Sequence, residues 1–153
     1  MSTARSTVVV VAIALTGACA PSLDPCPKGN DPITVSDAVV HKQTVTLTLS
    51  YAGGCEEHDV ALWYTGAVGN SDPPQQPVEL QHDAHGDSCE AFITEERHFD
   101  FSVYESATWI QLLSSDGDEL LFNFFYDPEV GDALPDVEAE PLDTECSTFT
   151  ETA

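Results

Sequence analysis

Apolar and polar side chains alternate strictly along residues 44–51, and this is the clearest pattern in the chain. Val45, Leu47 and Leu49 would point to one side of a strand, and the threonines between them would point to the other. β-Branched residues at a period of two are typical of a half-buried strand. Shorter stretches of the same kind predict further strands, and the full set is 33–40, 44–51, 59–64, 78–82, 90–94, 99–103, 109–113 and 120–125.

Short strands punctuated by turn residues, without a helical period, predict an all-β fold. We expect a single antiparallel β-sandwich over residues 33–126, stapled by disulfides and followed by an irregular acidic tail over residues 127–153. Asp116-Gly117 separates the last two predicted strands, and this dipeptide is a strong signal for a hairpin turn.

The first residues have the features of an export signal. Arg5 precedes an apolar stretch, Val8–Leu15, that is too short to span a membrane. Leu15-Thr16-Gly17-Ala18-Cys19 follows, and it resembles the lipobox of bacterial lipoprotein precursors. The resemblance implies removal of residues 1–18, attachment of lipid such as palmitate to Cys19, and a place in the bacterial cell envelope. Plain secretory cleavage is the alternative.

Residues 19–32 would connect the lipid to the domain. They contain four prolines and no aromatic side chain, a composition that predicts a flexible tether. The chain has no apolar run of the ~18–20 residues that a transmembrane helix needs. We therefore expect attachment to the membrane through the lipid anchor alone.

Acidic residues dominate the charge of the chain. After loss of the signal, Lys28, Lys42 and Arg97 would face 27 acidic residues, a net charge of −24. Such a charge repels nucleic acid and anionic lipid headgroups, which we therefore exclude as partners, and it attracts cations. We expect a monomer whose partner is an envelope protein or a glycan.

Two predicted strands bring two histidines together. If these strands pair antiparallel with Leu62 opposite Val78, then His58 lies opposite His82. Side chains two residues apart share a face of a sheet, so both histidines would extend the apolar rows of their strands.

Two cysteines lie one step beyond these histidines. With Cys19 lipidated, four cysteines remain, an even number that predicts disulfides in an exported chain. Three pairings are possible. We favour Cys55–Cys89, which follows from the hairpin register, and Cys26–Cys146, which would tie the ends of the domain together. A zinc site of four cysteines is the alternative, although the chain has no Cys-x₂-Cys pair.

The facing histidines are also candidate metal ligands. Neutral imidazoles bind zinc or copper, and a facing pair needs only one or two further ligands. His58 and His82 would be the first ligands, and His85 and Asp87 could complete the set. The alternative is that His58 and His82 are packed side chains that hydrogen-bond to the turn backbone. Asp83-x-His85-x-Asp87 also has the alternating acids of a calcium loop, but we interpret it as a turn.

The same stretch resembles a loose set of small bacterial lipoprotein domains. The resemblance rests on Gly53-Gly54-Cys55-x-x-His58, followed by an alternating strand and by His82-x₃-Gly86-Asp87-x-Cys89. It covers about a third of the mature chain. It implies an exported β-domain, and no activity.

Catalytic motifs are missing from the sequence. There is no Gly-x-Ser-x-Gly motif, and no cysteine stays free once the predicted disulfides form. We expect a lipid-anchored envelope protein that is not an enzyme and that has a binding or structural role. A zinc- or copper-binding lipoprotein and a hydrolase are the alternatives.

Trp63 and Phe125 fall out of phase with the buried rows of their strands, so both would point away from the core. Exposed, such aromatic side chains can mark a surface that binds a partner or a glycan. Alternatively, a loop or the acidic tail covers them.

Overall fold

The computed structural model describes residues 29–64 and 69–143, and its regular structure consists entirely of strands. Alternating apolar residues form the long strands, and Gly or Asp residues occupy the turns between several of them. The strands are β1 (Thr34–His41), β2 (Thr44–Gly53), β3 (Asp59–Tyr64), β4 (Gln75–Asp83), β5 (Ala91–Asp100), β6 (Thr108–Leu113), β7 (Leu120–Tyr126) and β8 (Glu140–Pro141).

The strands form two four-stranded sheets, with the orders β1-β2-β5-β8 and β3-β4-β6-β7. Apolar side chains from both sheets make one core, as in a β-sandwich. The predicted sandwich is thus confirmed, but the sheets are mixed: β4 pairs with β6, and β5 with β8, in parallel. In the sequence β5 comes between β4 and β6, but it belongs to the other sheet. The chain therefore crosses to that sheet and returns, so that β6 runs parallel to β4.

The core is built from the inward rows that the alternation predicts. Val45, Leu47 and Leu49 of β2 are completely buried. They pack in one cluster with the inward side chains of the second sheet, among them Leu62, Leu80, Ile110, Leu112 and Phe124. The Asp116-Gly117 hairpin is also confirmed, since β6 and β7 pair antiparallel and Gly117 adopts a positive φ of 77°.

Two predicted strands, 90–94 and 99–103, are in fact one strand. Strand β5 is continuous and pairs with β2 from Ala91 to Asp100. The charged run Glu95-Glu96-Arg97 lies within this strand, with its side chains half-buried or exposed. Strand β8 also falls in the region that we predicted to be irregular.

The predicted register of the β3–β4 hairpin is wrong by two residues. Leu62 pairs with Leu80, and His82 lies opposite Val60 rather than opposite His58. A shift of two residues keeps every side chain on its predicted face, so the apolar pattern alone does not distinguish the two registers.

Trp63 and Phe125, the two aromatic residues out of phase with the buried rows, differ in their exposure to solvent. Trp63 is only 3% exposed, and the chain at Asp143 hydrogen-bonds along β3 at Leu62 and Tyr64. Phe125 is 42% exposed. The covered alternative therefore holds for Trp63, and the exposed alternative holds for Phe125.

Several predictions fall on residues outside the described parts of the chain. These are the signal and most of the tether, the lipidation of Cys19, and the Cys26–Cys146 disulfide, all of which stay predictions. Among residues 29–64 and 69–143, no helix is long and apolar enough to cross a membrane.

Candidate functional site

Two buried histidines meet at one end of the β3–β4 hairpin. His58 lies directly before β3, and His82 lies near the end of β4. Nδ1 of His58 is 2.8 Å from Nε2 of His82, and both residues are buried. The meeting of the two rings is as predicted, although it arises diagonally across the strands and not from directly paired positions.

The Asp87 carboxylate organises the loops around the histidines. Its Oδ2 accepts hydrogen bonds from the backbone N–H groups of Gly54, Cys55 and Glu56, at 2.8–3.0 Å. Its Oδ1 accepts a fourth from the N–H of Cys89. Hydrogen bonds from these backbone amides hold the pKa of Asp87 well below its usual range, so Asp87 is ionised.

A continuous chain of hydrogen bonds runs through the two rings. Nε2 of His58 is 3.1 Å from Oδ2 of Asp87, and Nδ1 of His82 is 3.1 Å from the backbone oxygen of Asp31. Both outer partners can only accept, so both outer ring nitrogens must donate. The contact between the rings needs one more proton. When all three bonds form, the two rings hold three protons, and the pair carries one positive charge.

The surroundings of the two rings differ. Burial lowers the pKa of His82. His58 contacts the Asp87 carboxylate, and Tyr51 stacks on its ring at a centroid distance of 4.5 Å.

Glycine is required beside this network. A Cβ atom on Gly53 would collide with the His58 ring at Nε2 and would lie tightly against Oδ2 of Asp87, at 3.0 Å. A Cβ atom on Gly29 would collide in the same way with the backbone of His82. The approach of residues 29–31 to His82 gave no signal in the sequence, because it joins backbone segments far apart in the chain.

The candidate metal ligands do not converge on one point. His58 directs opposite ring nitrogens towards His82 and Asp87, so the three side chains form a line instead of a cluster. His85 lies elsewhere, with its Nε2 2.8 Å from Oδ2 of Asp59. The contacts that the structure describes at these residues are hydrogen bonds, and a zinc or copper site there stays a prediction.

The predicted Cys55–Cys89 disulfide is present and has a Cα–Cα distance of 5.9 Å. It joins the loop after β2 to the segment after β4, which also contains Asp87. The donor atoms of Cys55, Asp87 and Cys89 lie within 4.8 Å of one another, but the disulfide occupies both sulfur atoms. The disulfide and the hydrogen bonds of Asp87 therefore hold these two loops together.

A second feature lies on the outer face of the sheet that contains β6 and β7. Trp109 and Phe125 are directly paired across these strands, with ring centroids 5.3 Å apart, and both are about 40% exposed. Gln75 of β4 pairs with Trp109, and Gln111 lies in the next row opposite Asn123. We call these five side chains, none of which is charged, the aromatic platform.

A cleft of about 470 Å³ is the third feature. The N-terminal segment, residues 29–34, forms one wall. The other walls come from the end of β2, from Phe92 of β5 and from the turn between β6 and β7. The backbone N–H of Asp31 donates to the carbonyl of His82, so the buried histidine also fixes this wall.

Comparisons with known proteins support the fold and assign no family. No protein-family model and no curated protein matches the sequence. One solved structure resembles the chain, a crystal structure described as a "putative toxin related protein" from Parabacteroides distasonis. The TM-score is 0.50 at 17% identity, and the match covers 66% of this chain and 53% of the other, about half of its length. At this identity the likeness shows the fold alone.

Proposed function

We propose that this chain is a lipid-anchored envelope protein that binds a neutral glycan through the aromatic platform, without catalysis. The exposed Trp109–Phe125 pair is the observation that carries the proposal. Two large aromatic side chains are held side by side in a rigid sheet with a substantial part of their surface in water. A large exposed apolar surface of this kind is typical of a binding site.

The chemistry of the platform suits a sugar. A pyranose ring presents C–H groups on its faces, which pack against aromatic rings through dispersion and burial of apolar surface. Its hydroxyl groups lie at the rim, where side-chain amides can both donate and accept. Gln75, Gln111 and Asn123 supply such amides, and Nε2 of Gln111 already donates to Oε1 of Gln75 at 3.2 Å, which orients both.

The charge of the molecule favours a neutral glycan over an anionic one. The chain carries a net charge of −23, so anionic polysaccharides are repelled at long range. The aromatic platform is an uncharged area on this acidic surface. An uncharged ligand can approach it without paying for desolvation of a carboxylate.

The buried histidines support a structural role and no catalytic one. Within the described residues, neither His58 nor His82 contacts a hydroxyl group that could act as a nucleophile. The outer nitrogen of His82 donates to a backbone oxygen instead, and both rings are almost inaccessible to solvent. A general base must reach the proton that it abstracts.

Isothermal titration with neutral and anionic polysaccharides tests the proposal. We expect binding of a neutral glucan or mannan and none of polygalacturonate. Trp109→Ala should weaken binding about tenfold or more, equivalent to ~1.4 kcal/mol. Phe92→Ala is the matched control, because Phe92 is an exposed aromatic residue outside the platform. Binding that survives Trp109→Ala, or that is lost equally in Phe92→Ala, would overturn the platform as the site.

A further inference from the structure

The cleft between the N-terminal segment and the β6–β7 turn has the size of a small-molecule or side-chain site. Its floor includes the apolar surfaces of Tyr51, Leu80 and Leu121. Phe92 also lines the cleft, although 76% of this residue is exposed to solvent. A cleft that combines apolar surface, polar side chains and an exposed aromatic side chain favours a ligand with an aliphatic part and a polar or charged end.

The charged side chains that line the cleft are all acidic. They are Asp31 and Glu119. Lys42 and Arg97 are the only lysine and arginine in the described residues, and neither lines the cleft. Arg97 instead pairs with Glu95 of β5 and Glu140 of β8, neither of which lines the cleft. The negative charge of the cleft is therefore not neutralised from within the described part of the protein.

We propose that the cleft binds a cationic group on an aliphatic stem. The stem would pack on the apolar floor, as the methylenes of lysine and arginine do at other apolar surfaces. The cation would lie between the carboxylate of Glu119 and the ring of Phe92, which attract it as an ion pair and through the π face. The charge of −23 would also raise the local concentration of such cations.

Two sources share this chemistry. One is a lysine or arginine side chain of a basic peptide segment, and the other is a free polyamine. The cleft has no residue in common with the aromatic platform, so cation binding and glycan binding can be lost independently.

Fluorescence anisotropy with the full-length chain tests the inference, using dye-labelled hexalysine as the probe and spermine as an unlabelled competitor. Phe92→Ala and Glu119→Gln should each raise the dissociation constant of hexalysine about two- to fivefold at physiological salt. Two controls match these changes. Glu129→Gln neutralises an exposed acid outside the cleft, and Phe125→Ala removes an exposed aromatic ring outside it.

If spermine competes with hexalysine, the site accepts any cationic group on an aliphatic stem, including a free polyamine. If hexalysine binds and spermine does not compete, the site is specific for basic peptides. Equal loss of affinity in Glu119→Gln and Glu129→Gln would mean diffuse binding to the acidic surface and would overturn the inference. So would the absence of hexalysine binding. Circular dichroism of each variant establishes that its fold is intact.

Discussion

At the scale of single residues, the Asp87 carboxylate joins the loops at the open end of the β3–β4 hairpin. It accepts hydrogen bonds from four backbone amides, and its Oδ2 also contacts the ring of His58. The second ring, that of His82, then holds the N-terminal segment through the backbone of Asp31. One carboxylate and two imidazoles thus fix three stretches of chain that contain little apolar side-chain surface.

Removal of the central ring should be costly. In His58→Ala, Asp87 and His82 each lose a buried hydrogen-bond partner, and we expect the free energy of unfolding to fall by about 2–4 kcal/mol. Urea denaturation measures the change. His85→Ala is the control, because the His85 side chain is about half exposed, and it should change the stability by no more than ~0.5 kcal/mol. Equal losses in both variants would contradict the role of the network.

The stability that Asp87 contributes should depend on pH. Because its pKa is lower in the folded protein than in the unfolded chain, protonation favours unfolding. The difference in unfolding free energy between the wild type and Asp87→Asn should therefore be complete above about pH 4, the ordinary range of aspartate, and should shrink as the pH falls further. Urea titrations of both proteins between neutral pH and about pH 2 measure it. A difference that grows in acid would contradict the assignment.

The sequence predicted part of this network. The proximity of His58 and His82 followed from the side-chain alternation, which places both on the inner face whichever of the two registers forms. Asp31 and Gly53 were not predicted, since their roles depend on the close approach of backbone segments. Asp87 was predicted as a turn residue or metal ligand, and its four amide contacts depend on loop conformations that have no periodic signal.

At the scale of elements, apolar periodicity fixed the faces of the strands better than their pairing. The β-sandwich and the β6–β7 hairpin were predictable, because alternation and Asp-Gly turns are local signals. The parallel pairing of β4 with β6 was not, since it depends on a crossover through the other sheet. Strand β8 is only two residues long, Glu140–Pro141, and both are exposed, so no apolar pattern marks it.

The Cys55–Cys89 disulfide should add to the free energy of unfolding by cross-linking two loops at this end of the sandwich. It joins residues 34 apart in sequence, and a loop of this length is worth about 3–4 kcal/mol in the chain-entropy model. The double variant Cys55→Ala/Cys89→Ala should lose that much stability in urea denaturation. The reduced wild type is the control and should lose a similar amount, whereas an unchanged midpoint in both would contradict the contribution.

At the scale of the whole molecule, a lipid on Cys19 would hold the domain near the membrane. Gly29, the first described residue, comes ten positions after Cys19, and a fully extended chain of that length spans at most ~35 Å. Residues 29–34 form a wall of the cleft, so the cleft would lie within about this distance of the lipid. A protein so placed, with a charge of −24 after loss of Arg5, would be repelled from anionic headgroups and held by its tether.

Replacement of the lipidated residue tests this placement. Cys19→Ser should abolish lipid attachment, so that the chain either remains as an uncleaved precursor or leaves the membrane fraction. Metabolic labelling with palmitate and membrane fractionation measure both effects. Cys26→Ser is the matched control and should retain the label. Unchanged labelling, processing and fractionation of Cys19→Ser would contradict the lipoprotein assignment.

The central claim, that the aromatic platform binds a neutral glycan, is tested most directly by nuclear magnetic resonance. The chain has two tryptophans, of which Trp63 is buried and Trp109 is exposed on the platform. On addition of a neutral hexasaccharide to the ¹⁵N-labelled protein, we predict that the indole N–H signal of Trp109 shifts with the side-chain amides of Gln75 and Gln111. The Trp63 indole should not move. A shift at Trp63 without one at Trp109, or no shift in either at saturating glycan, would contradict the claim.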